Sequence, residues 1–348
     1  MNKKKQVTIG VIGAGRIGQV HAEHLAHRIP GAQLAYISDI NTSAAESLAQ
    51  RLSVPNLIVA KDYHDVLASN VEAVVICSST DTHSRIIEEA AAAGKHIFCE
   101  KPIDHELAKI DRALAAVKKA DVKFQVGFNR RFDPNFSHVQ QVIASGKIGK
   151  PHIVRITSRD PAPPPVAYIK VSGGIFLDMT IHDFDMARFL TGSEVTRVFA
   201  LGAVMIDPAI GAAGDIDTAV ITLEFANGAI ATIDNSRQAV YGYDQRIEVF
   251  GSEGVISADN NTPHRTTFGD KEGMHAPLPL NFFMDRYTES YIKEMLAFVT
   301  AIADDVATPV SGLDGRAPVV IGLAAKMSLH SGMPVLISDV EKHILTAV

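Results

Sequence analysis

Residues 7–39 carry the feature that most restricts how this chain can fold. A continuous apolar run, typical of a buried parallel strand, leads into Gly13, Gly15 and Gly18, whose spacing is G-x-G-x-x-G. A helical stretch follows, and Asp39 closes the next apolar run. A strand, a glycine-rich turn, a helix and a second strand that ends in an acid together predict a βαβ unit that binds a dinucleotide.

Each glycine of this motif has a physical task. Gly13 can take the backbone of a tight turn, Gly15 has no Cβ to keep a pyrophosphate away from the main chain, and Gly18 lets the helix pack closely on the sheet. The helix directs its free N–H groups at phosphate oxygens. We therefore expect the pyrophosphate to be surrounded by this segment, Arg16 and Ile17 included.

The acid at the end of the second strand selects the form of the cofactor. The Asp39 carboxylate is placed to accept hydrogen bonds from both hydroxyls of an adenosine ribose, and it would repel the 2′-phosphate of NADP. The next residues, Ile40, Asn41 and Thr42, supply no Arg or Lys to hold such a phosphate. NAD is therefore the predicted cofactor. A lone glycine motif would be consistent with a turn and nothing more, but the strand, helix and acid around it favour binding.

Length and composition set the broad class of protein. A chain of 348 residues is longer than one hydrophobic core usually serves, which predicts two domains. A hydrophobic content of 47% and a charged content of 21% are typical of a globular protein. The net charge is −6 and no basic stripe is interleaved with aromatic residues, so a nucleic-acid partner is not expected.

The two cysteines, Cys77 and Cys99, indicate the compartment. Each ends an apolar run that predicts a parallel strand, and neither has the spacing of a metal site. Both are predicted to be buried free thiols, as expected in a reducing compartment. No uninterrupted apolar segment resembles a signal peptide or a membrane span, so we expect a cytoplasmic protein without a membrane partner.

The first part of the chain alternates short apolar runs with helical periodicity. This alternation predicts an α/β domain with a doubly wound parallel sheet, a Rossmann domain, over residues 1–127. The predicted strands are residues 7–12, 33–38, 73–77, 96–99 and 123–127. Helices between them include residues 43–51, 83–93 and 105–119.

The pattern changes near residue 128. From His152 onward the strands are longer and alternate apolar with polar residues, and Asn227-Gly228 between two of them is a hairpin signal. Residues 128–348 are therefore predicted to form an α+β domain with a large, open, mostly antiparallel sheet. Helices are predicted there at residues 134–145, 174–190 and 285–304. The strands alternate Ala, Val and Ile with few charges, which predicts that a second subunit covers one sheet face in a homo-oligomer.

Lys101 lies in Glu100-Lys101-Pro102, directly after a predicted strand. Ligands of open α/β sheets bind at the carboxyl ends of the strands, and a lysine there can hold a substrate oxygen and stabilise negative charge that develops on it. The alternative is a surface lysine before a proline, which is the commoner situation of any single lysine.

Asp178 and His182 are four residues apart within a stretch of helical periodicity, which places both side chains on one helix face. Histidine has a proton affinity suited to removing an alcohol proton near neutral pH, and a nearby carboxylate can orient it. The alternative is a helix with a satisfied core histidine. With Asp185 they would make an acceptable oxygen and nitrogen set for a metal, but no second His or Cys has a usable spacing and a hydride-carrying cofactor needs none, so no metal is predicted.

These motifs together resemble the glucose-fructose oxidoreductase, inositol dehydrogenase and rhizopine-catabolism family over essentially the whole chain. The matching segments are Gly13 to Gly18, Val74 to Cys77, Thr80 to His83, Ala93 to Pro102, and Asp178-x-x-x-His182. The resemblance implies a Rossmann domain, a C-terminal α+β domain and NAD-linked oxidation or reduction of a ring carbon of sugars and cyclitols. Finer segments resemble inositol 2-dehydrogenases: residues 127–133, 158–161, 172–185, 241–244 and 283–287.

The resemblance also implies roles for individual residues. Lys101 contacts the nicotinamide ribose and the reacting hydroxyl, His182 takes the hydroxyl proton, and Asp178 orients the substrate and the imidazole. The implied cofactor contacts are Gly13, Gly15, Arg16, Ile17, Gly18, Asp39, Ser79, His83, Glu100 and Lys101. Other ring hydroxyls would be bound by Asn129, Arg130, Asp160 and Tyr243, because an unpaired buried polar group costs about 1–3 kcal/mol.

The predicted reaction is NAD-dependent oxidation of myo-inositol to 2-keto-myo-inositol by a cytoplasmic homo-oligomer, either a dimer or a homotetramer. Another inositol isomer (scyllo or chiro) or glucose is the alternative substrate, and Ser158, where many inositol enzymes carry a His, leaves the stereochemistry open. The alternative from a different functional class is a non-catalytic regulator that senses NAD. Such a protein would be expected to lack Lys101 or His182, and both are present. A flavin enzyme has no support beyond the first glycines.

Overall fold

The structure is a computed structural model that describes the backbone of residues 6–346 and the side chains of residues 6–342. The strands are β1 (Val7–Ile12), β2 (Ala32–Ser38), β3 (Ile58–Ala60), β4 (Ala73–Ile76), β5 (His96–Glu100), β6 (Phe124–Gly127), β7 (Pro151–Arg159), β8 (Val195–Ala203), β9 (Thr218–Phe225), β10 (Ile230–Ser236), β11 (Asp244–Gly251), β12 (Val255–Ala258), β13 (Phe268–Asp270), β14 (Gly273–His275) and β15 (Val335–Leu336). The helices are α1 (Arg16–His27), α2 (Thr42–Leu52), α3 (Tyr63–Ala68), α4 (Thr80–Ala92), α5 (Leu107–Ala120), α6 (Pro134–Ala144), α7 (Val166–Ile169), α8 (Ile175–Asp178), α9 (Ile181–Thr191), α10 (Pro208–Ala212), α11 (Phe283–Ala303), α12 (Gly312–Ser331) and α13 (Ile337–Thr346).

The chain divides into two compact units. The first runs to Phe132 and also contains Glu289–Ala317, and the second contains Asp133–Thr288 and continues from Pro318. The predicted boundary between residues 127 and 128 lies a few residues before this division. The larger difference is that Glu289–Ala317, assigned from the sequence to the second domain, is part of the first unit.

The apolar face of α11 explains that difference. Met295, Phe298, Val299 and Ile302 are buried in one core cluster with residues of β1, β2 and β4. Side chains at this spacing form one stripe of a helix, and such a stripe must be buried. The stripe shows that the helix packs on a core, but the sequence does not say on which one.

The first unit is built on a six-stranded sheet in the order β3-β2-β1-β4-β5-β6. All neighbouring strands in it are parallel. This is the doubly wound order of dinucleotide-binding domains. The predicted α/β class and Rossmann domain are confirmed.

The second unit is built on a seven-stranded sheet in the order β12-β11-β7-β10-β9-β8-β15. β7 and β10 pair in parallel, and the other neighbouring pairs are antiparallel. β9 and β10 form the hairpin predicted from Asn227-Gly228, where Gly228 has a φ of 87°. The predicted mostly antiparallel sheet is confirmed.

The helix predicted over residues 174–190 is two helices. The Thr180 hydroxyl lies 3.2 Å from the carbonyl oxygen of Ile175 and 2.5 Å from Oδ1 of Asn235, so it competes with the helical hydrogen bonds. The His182 N–H donates to the carbonyl oxygen of Met179, three residues earlier, at 3.3 Å, and the two helices end and begin at Asp178 and Ile181. Asp178 and His182 therefore lie on either side of a break, and not on one face of a continuous helix.

Cys77 and Cys99 are buried free thiols, as predicted. Burial raises the pKa of both thiols well above the ordinary value, so neither is a thiolate near neutral pH. Within the described residues, no helix has the length and apolar character needed to span a membrane.

Candidate active site

The predicted cofactor residues of the first unit gather at the carboxyl edge of its parallel sheet. The glycine-rich turn follows β1, Asp39 follows β2, and Ser79 follows β4 at the start of α4. Glu100 is the last residue of β5, and Lys101 comes directly after it. This edge is where open α/β sheets bind ligands.

The surroundings of the three glycines differ. Gly13 has a φ of 105°, and a Cβ there would lie 2.5 Å from the Cys77 carbonyl. A Cβ on Gly18 would overlap the carbonyl oxygen of Gly13. A Cβ on Gly15 would have no atom of the chain within 4 Å, so the space beside it is open. That space lies at the N-terminus of α1, where backbone N–H groups suit a pyrophosphate.

The Asp39 carboxylate is fixed against this turn. Its Oδ2 accepts a hydrogen bond from the Ala14 N–H at 2.6 Å, and its Oδ1 accepts one from the Asn41 N–H at 2.7 Å. A carboxylate has about four lone-pair positions, so both oxygens retain capacity for the hydroxyls of a ribose. The neighbouring Ile40 is fully exposed and supplies no positive charge.

His83 has a structural role that the sequence did not reveal. The imidazole is 2% exposed, and its Nδ1 and Nε2 lie 2.9 Å and 3.0 Å from the carbonyl oxygens of Pro102 and Ser78. It therefore joins the turn after β4 to the turn that contains Lys101. The Lys101–Pro102 peptide bond is cis.

Glu100 belongs to a buried cluster with His21 and Glu294. Its Oε1 lies 2.6 Å from Nε2 of His21, and one ligand atom from each of the three residues lies within 4.8 Å of the others. Both carboxylate oxygens of Glu294 are buried without a hydrogen-bond partner among the described residues. Burial raises the pKa of Glu294 well above its ordinary value, and the Glu100 carboxylate raises it further. The raised pKa of Glu294 and the contact of His21 with Glu100 favour a proton on Glu294 over a cation bound by the three residues.

The sequence motifs predicted no role for Glu294 or His21, although the position of Glu294 in its helix is unusual for a charged residue. It lies three residues after Tyr291 and four before Phe298, both of which are buried, so it falls on the apolar stripe of α11. A charged residue on such a stripe indicates a buried carboxyl group.

Asn129 and Arg130 also lie at the sheet edge, in a short 3₁₀ turn (Asn129–Phe132) directly after β6. They are 3% and 5% exposed. Nδ2 of Asn129 has no hydrogen-bond partner among the described residues. A buried amide N–H without a hydrogen-bond partner is suited to donate to a ligand hydroxyl.

The candidate substrate residues of the second unit gather at one end of its sheet. Asp160 follows β7 and Tyr243 precedes β11, and these strands are antiparallel neighbours, with Arg159 opposite Asp244. Tyr243 is 6% exposed, and its ring packs edge-on against Tyr287.

Asp178, at the end of α8, is held at the same end of the sheet. Its Oδ1 accepts a hydrogen bond from the Tyr168 hydroxyl at 2.9 Å, and its Oδ2 accepts one from Nη1 of Arg237 at 3.2 Å. Arg237 follows β10, and His182 lies in the first turn of α9. Tyr168 and Arg237 were missed because their contacts with Asp178 span ten residues or more, and no local pattern marks them.

Two family models match the chain. Residues 7–128 match the description "Oxidoreductase family, NAD-binding Rossmann fold", and residues 136–257 match "GFO/IDH/MocA C-terminal domain". The chain belongs to the GFO/IDH/MocA oxidoreductase family. It is an oxidoreductase with NAD as its cofactor, and the family predicted from the motifs is confirmed.

Members of the GFO/IDH/MocA family resemble the chain over nearly its whole length. It is 51% identical to myo-inositol 2-dehydrogenase of Thermotoga maritima, over 95% of this chain and 99% of the relative. It is 47% identical to inositol 2-dehydrogenase of Rhizobium meliloti, over 93% of this chain and 97% of the relative. The solved structure of scyllo-inositol dehydrogenase from Lactobacillus casei, with bound NAD(H) and scyllo-inositol, has a TM-score of 0.90 and 30% identity, and the match covers 96% of this chain and 100% of that chain.

The open space beside Gly15 gives a test of the cofactor site. We expect Gly15→Ala to weaken NAD binding about tenfold or more, because the new Cβ would occupy the approach of the pyrophosphate. Stability should fall by less than about 1 kcal/mol, because Gly15 is an N-cap residue whose Cβ meets no atom of the chain. Titration calorimetry with NAD and thermal unfolding measure the two effects. Gly18→Ala is the matched comparison and should lower stability markedly, and unchanged NAD affinity in the Gly15 variant would place the pyrophosphate elsewhere.

Proposed function

We propose that this enzyme oxidises a ring hydroxyl of a cyclitol with NAD, and that myo-inositol is converted to 2-keto-myo-inositol. The observation that carries the proposal is the 51% identity to a myo-inositol 2-dehydrogenase along nearly the full length of both chains. The presence of Lys101, Asp178 and His182 supports it, because an alcohol dehydrogenation requires a proton acceptor and a group that stabilises charge on oxygen.

His182 is the proposed proton acceptor. The hydroxyl O–H bond breaks and its proton moves to the His182 imidazole, while the ring carbon gives up its hydrogen as a hydride and becomes a carbonyl carbon. NAD, when bound, supplies the nicotinamide C4 that accepts this hydride. Asp178 orients the substrate and the imidazole, and its fixed contacts with Tyr168 and Arg237 suit a residue with that role.

Lys101 is the proposed electrostatic group of the reaction. Its ammonium would hold the reacting oxygen and stabilise the negative charge that builds up as the proton leaves. It also would contact the nicotinamide ribose, as expected for a residue at the carboxyl end of a parallel strand. The remaining ring hydroxyls require polar partners, and the proposed ones are Asn129, Arg130, Asp160 and Tyr243.

The residues proposed for the cofactor fit a dinucleotide. The open space beside Gly15 lies at the N-terminus of α1, and the Asp39 carboxylate is fixed beside the same turn. The proposed contacts of the nicotinamide half are Ser79, His83, Glu100 and Lys101.

A different inositol isomer is the second candidate substrate. The similarity to an enzyme named for scyllo-inositol favours this alternative. Ser158 is fully buried and its hydroxyl donates to Oε1 of Gln245 at 3.1 Å, so its side chain belongs to the core and not to a substrate contact.

The proposed quaternary structure is a homo-oligomer, a dimer or a homotetramer, that assembles through the sheet of the second unit. One face of that sheet carries apolar side chains that are 38% to 57% exposed: Ile153, Leu201, Val220, Ile230 and Phe250. The strand register places Ile153, Ile230 and Phe250 in one group and Leu201 and Val220 in another, with Arg155 and Glu248 in the row between them. Exposed apolar side chains on a sheet face favour a protein interface there. The buried free thiols Cys77 and Cys99 support a reducing compartment, and we propose the cytoplasm.

Initial rates with a panel of substrates test the proposal. The protein is mixed with NAD and with myo-, scyllo- or chiro-inositol or glucose, and the rise of NADH absorbance is followed. We expect the highest kcat/KM with myo-inositol and a strong preference for NAD over NADP. Turnover of another compound in the panel would move the assignment to that substrate, and NAD binding without any turnover would support the regulator.

A further inference from the structure

Arg237 is a fully buried cation between two carboxylates. It is 1% exposed and follows β10 directly. Its Nη1 donates to Oδ2 of Asp178 at 3.2 Å, and its Nη2 donates to Oδ2 of Asp215 at 3.4 Å. A planar guanidinium with two donors pointing at different acceptors fixes both acceptors in direction as well as distance.

Asp215 connects the guanidinium to the start of α8. Its Oδ1 accepts a hydrogen bond from the Ile175 N–H, the first residue of that helix, at 3.0 Å. α8 is only one turn long and ends at Asp178. Both ends of the helix are therefore attached, directly or through Asp215, to the same arginine.

Asn235, near the end of β10, holds the segment that follows the break between α8 and α9. Asn235 lies two residues before Arg237, and its Nδ2 donates to Oδ2 of Asp183 at 2.9 Å while its Oδ1 contacts the Thr180 hydroxyl. All these groups are 0% or 1% exposed. The end of β10 therefore anchors the segment before the break through Arg237 and the segment after it through Asn235.

We propose that Arg237 is a positioning residue that sets the orientation of the Asp178 carboxylate relative to His182. The inference rests on the proposed function, in which Asp178 orients the substrate and the imidazole. Oδ1 of Asp178 is held by the Tyr168 hydroxyl and Oδ2 by Arg237, so the carboxylate cannot rotate while both contacts last. Without the arginine Oδ2 loses this contact, while Oδ1 remains bound to a half-exposed tyrosine, so the carboxylate is held less firmly in direction.

Kinetics of Arg237→Met test this role after the wild-type enzyme has been shown to turn over a cyclitol. We expect kcat/KM for the cyclitol to fall about 10–100-fold, because a small misplacement of a positioned group has effects of this size. The Kd for NAD, measured by titration calorimetry, should remain unchanged, because the cofactor residues lie in the other unit. A folded variant with wild-type kcat/KM overturns the role of Arg237 and leaves the proposed function intact.

A double-mutant cycle separates positioning from a general structural effect. If Arg237 acts through Asp178, Arg237→Met should add less than about threefold to the loss caused by Asp178→Asn. Multiplicative losses would show that the arginine acts by another route and would overturn the proposal. Failure of the wild-type enzyme on every cyclitol is a different result, because it rejects the proposed function before any variant is measured.

Arg237→Lys is a second variant that tests the same role if Arg237→Met does not fold. It keeps the buried positive charge but replaces the planar fork with one ammonium, which can bind only one carboxylate in the original geometry. We expect this variant to fold, to lose kcat/KM by about tenfold, and to show the same non-additivity with Asp178→Asn. Full activity in the lysine variant would show that a two-point contact is not needed and would overturn the proposal.

Discussion

Lys101→Met is expected to lower kcat by about 10²–10³, which is the effect of removing one group that stabilises charge on a reacting oxygen. Methionine has a similar length and no charge, so it tests the ammonium and not the volume of the side chain. Binding of NAD should change little, because the proposed contacts of the pyrophosphate and the adenosine ribose, at the glycine turn and Asp39, are kept in this variant. Initial rates with myo-inositol and calorimetric titration with NAD measure the two quantities.

Lys118→Met is the matched control for this experiment. Lys118 is an exposed residue in the last turn of α5, away from the carboxyl edge of the sheet. Its replacement should leave kcat and the affinity for NAD at their wild-type values. Unchanged turnover in the Lys101 variant would remove that residue from the proposed site.

The first unit shows why some features are predictable from sequence. Gly13 and Gly18 follow a buried strand, and the backbone around each of them leaves no room for a Cβ, while the space beside Gly15 is open for a ligand. Because the positive φ of Gly13 and the contact of Gly18 with the Gly13 carbonyl are local, the motif predicts the turn and the helix that follows it. The same holds for Asn227-Gly228, where the hairpin depends on neighbouring residues alone.

The break after Asp178 is a feature that local sequence patterns do not predict. The spacing of apolar residues in this stretch predicts one helix, whereas α8 ends at Asp178 and the Thr180 hydroxyl beside the break binds Asn235, more than fifty residues later. The return of α11 to the first unit has the same origin, since its apolar stripe does not identify the sheet that covers it. Arg237 and Tyr168 escape prediction because their importance arises only from contact with Asp178.

Glu294→Gln is expected to stabilise the protein increasingly as the pH rises. The buried carboxyl has a raised pKa, so the folded chain holds a proton that the unfolded chain releases above the ordinary pKa of 4.5. Between that value and the raised one, folding stability of the wild type falls by about 1.4 kcal/mol for each pH unit. Glutamine has nearly the same shape and does not titrate, so the variant avoids this loss.

The comparison of the two proteins across pH gives the decisive measurement for Glu294. Guanidinium unfolding of wild type and variant at pH values from 4 to 8 should show a stability difference that widens with pH and loses its pH dependence toward pH 4, where the unfolded carboxyl is also protonated. Glu289→Gln on the same helix is the control, because Glu289 is exposed and pairs with Lys293 at 2.8 Å, which contributes at most about 1 kcal/mol. A pH-independent difference for Glu294→Gln would mean that Glu294 is ionised in the folded protein. In that case the His21, Glu100 and Glu294 cluster would have to hold a positive charge, and proton binding would be the wrong description of it.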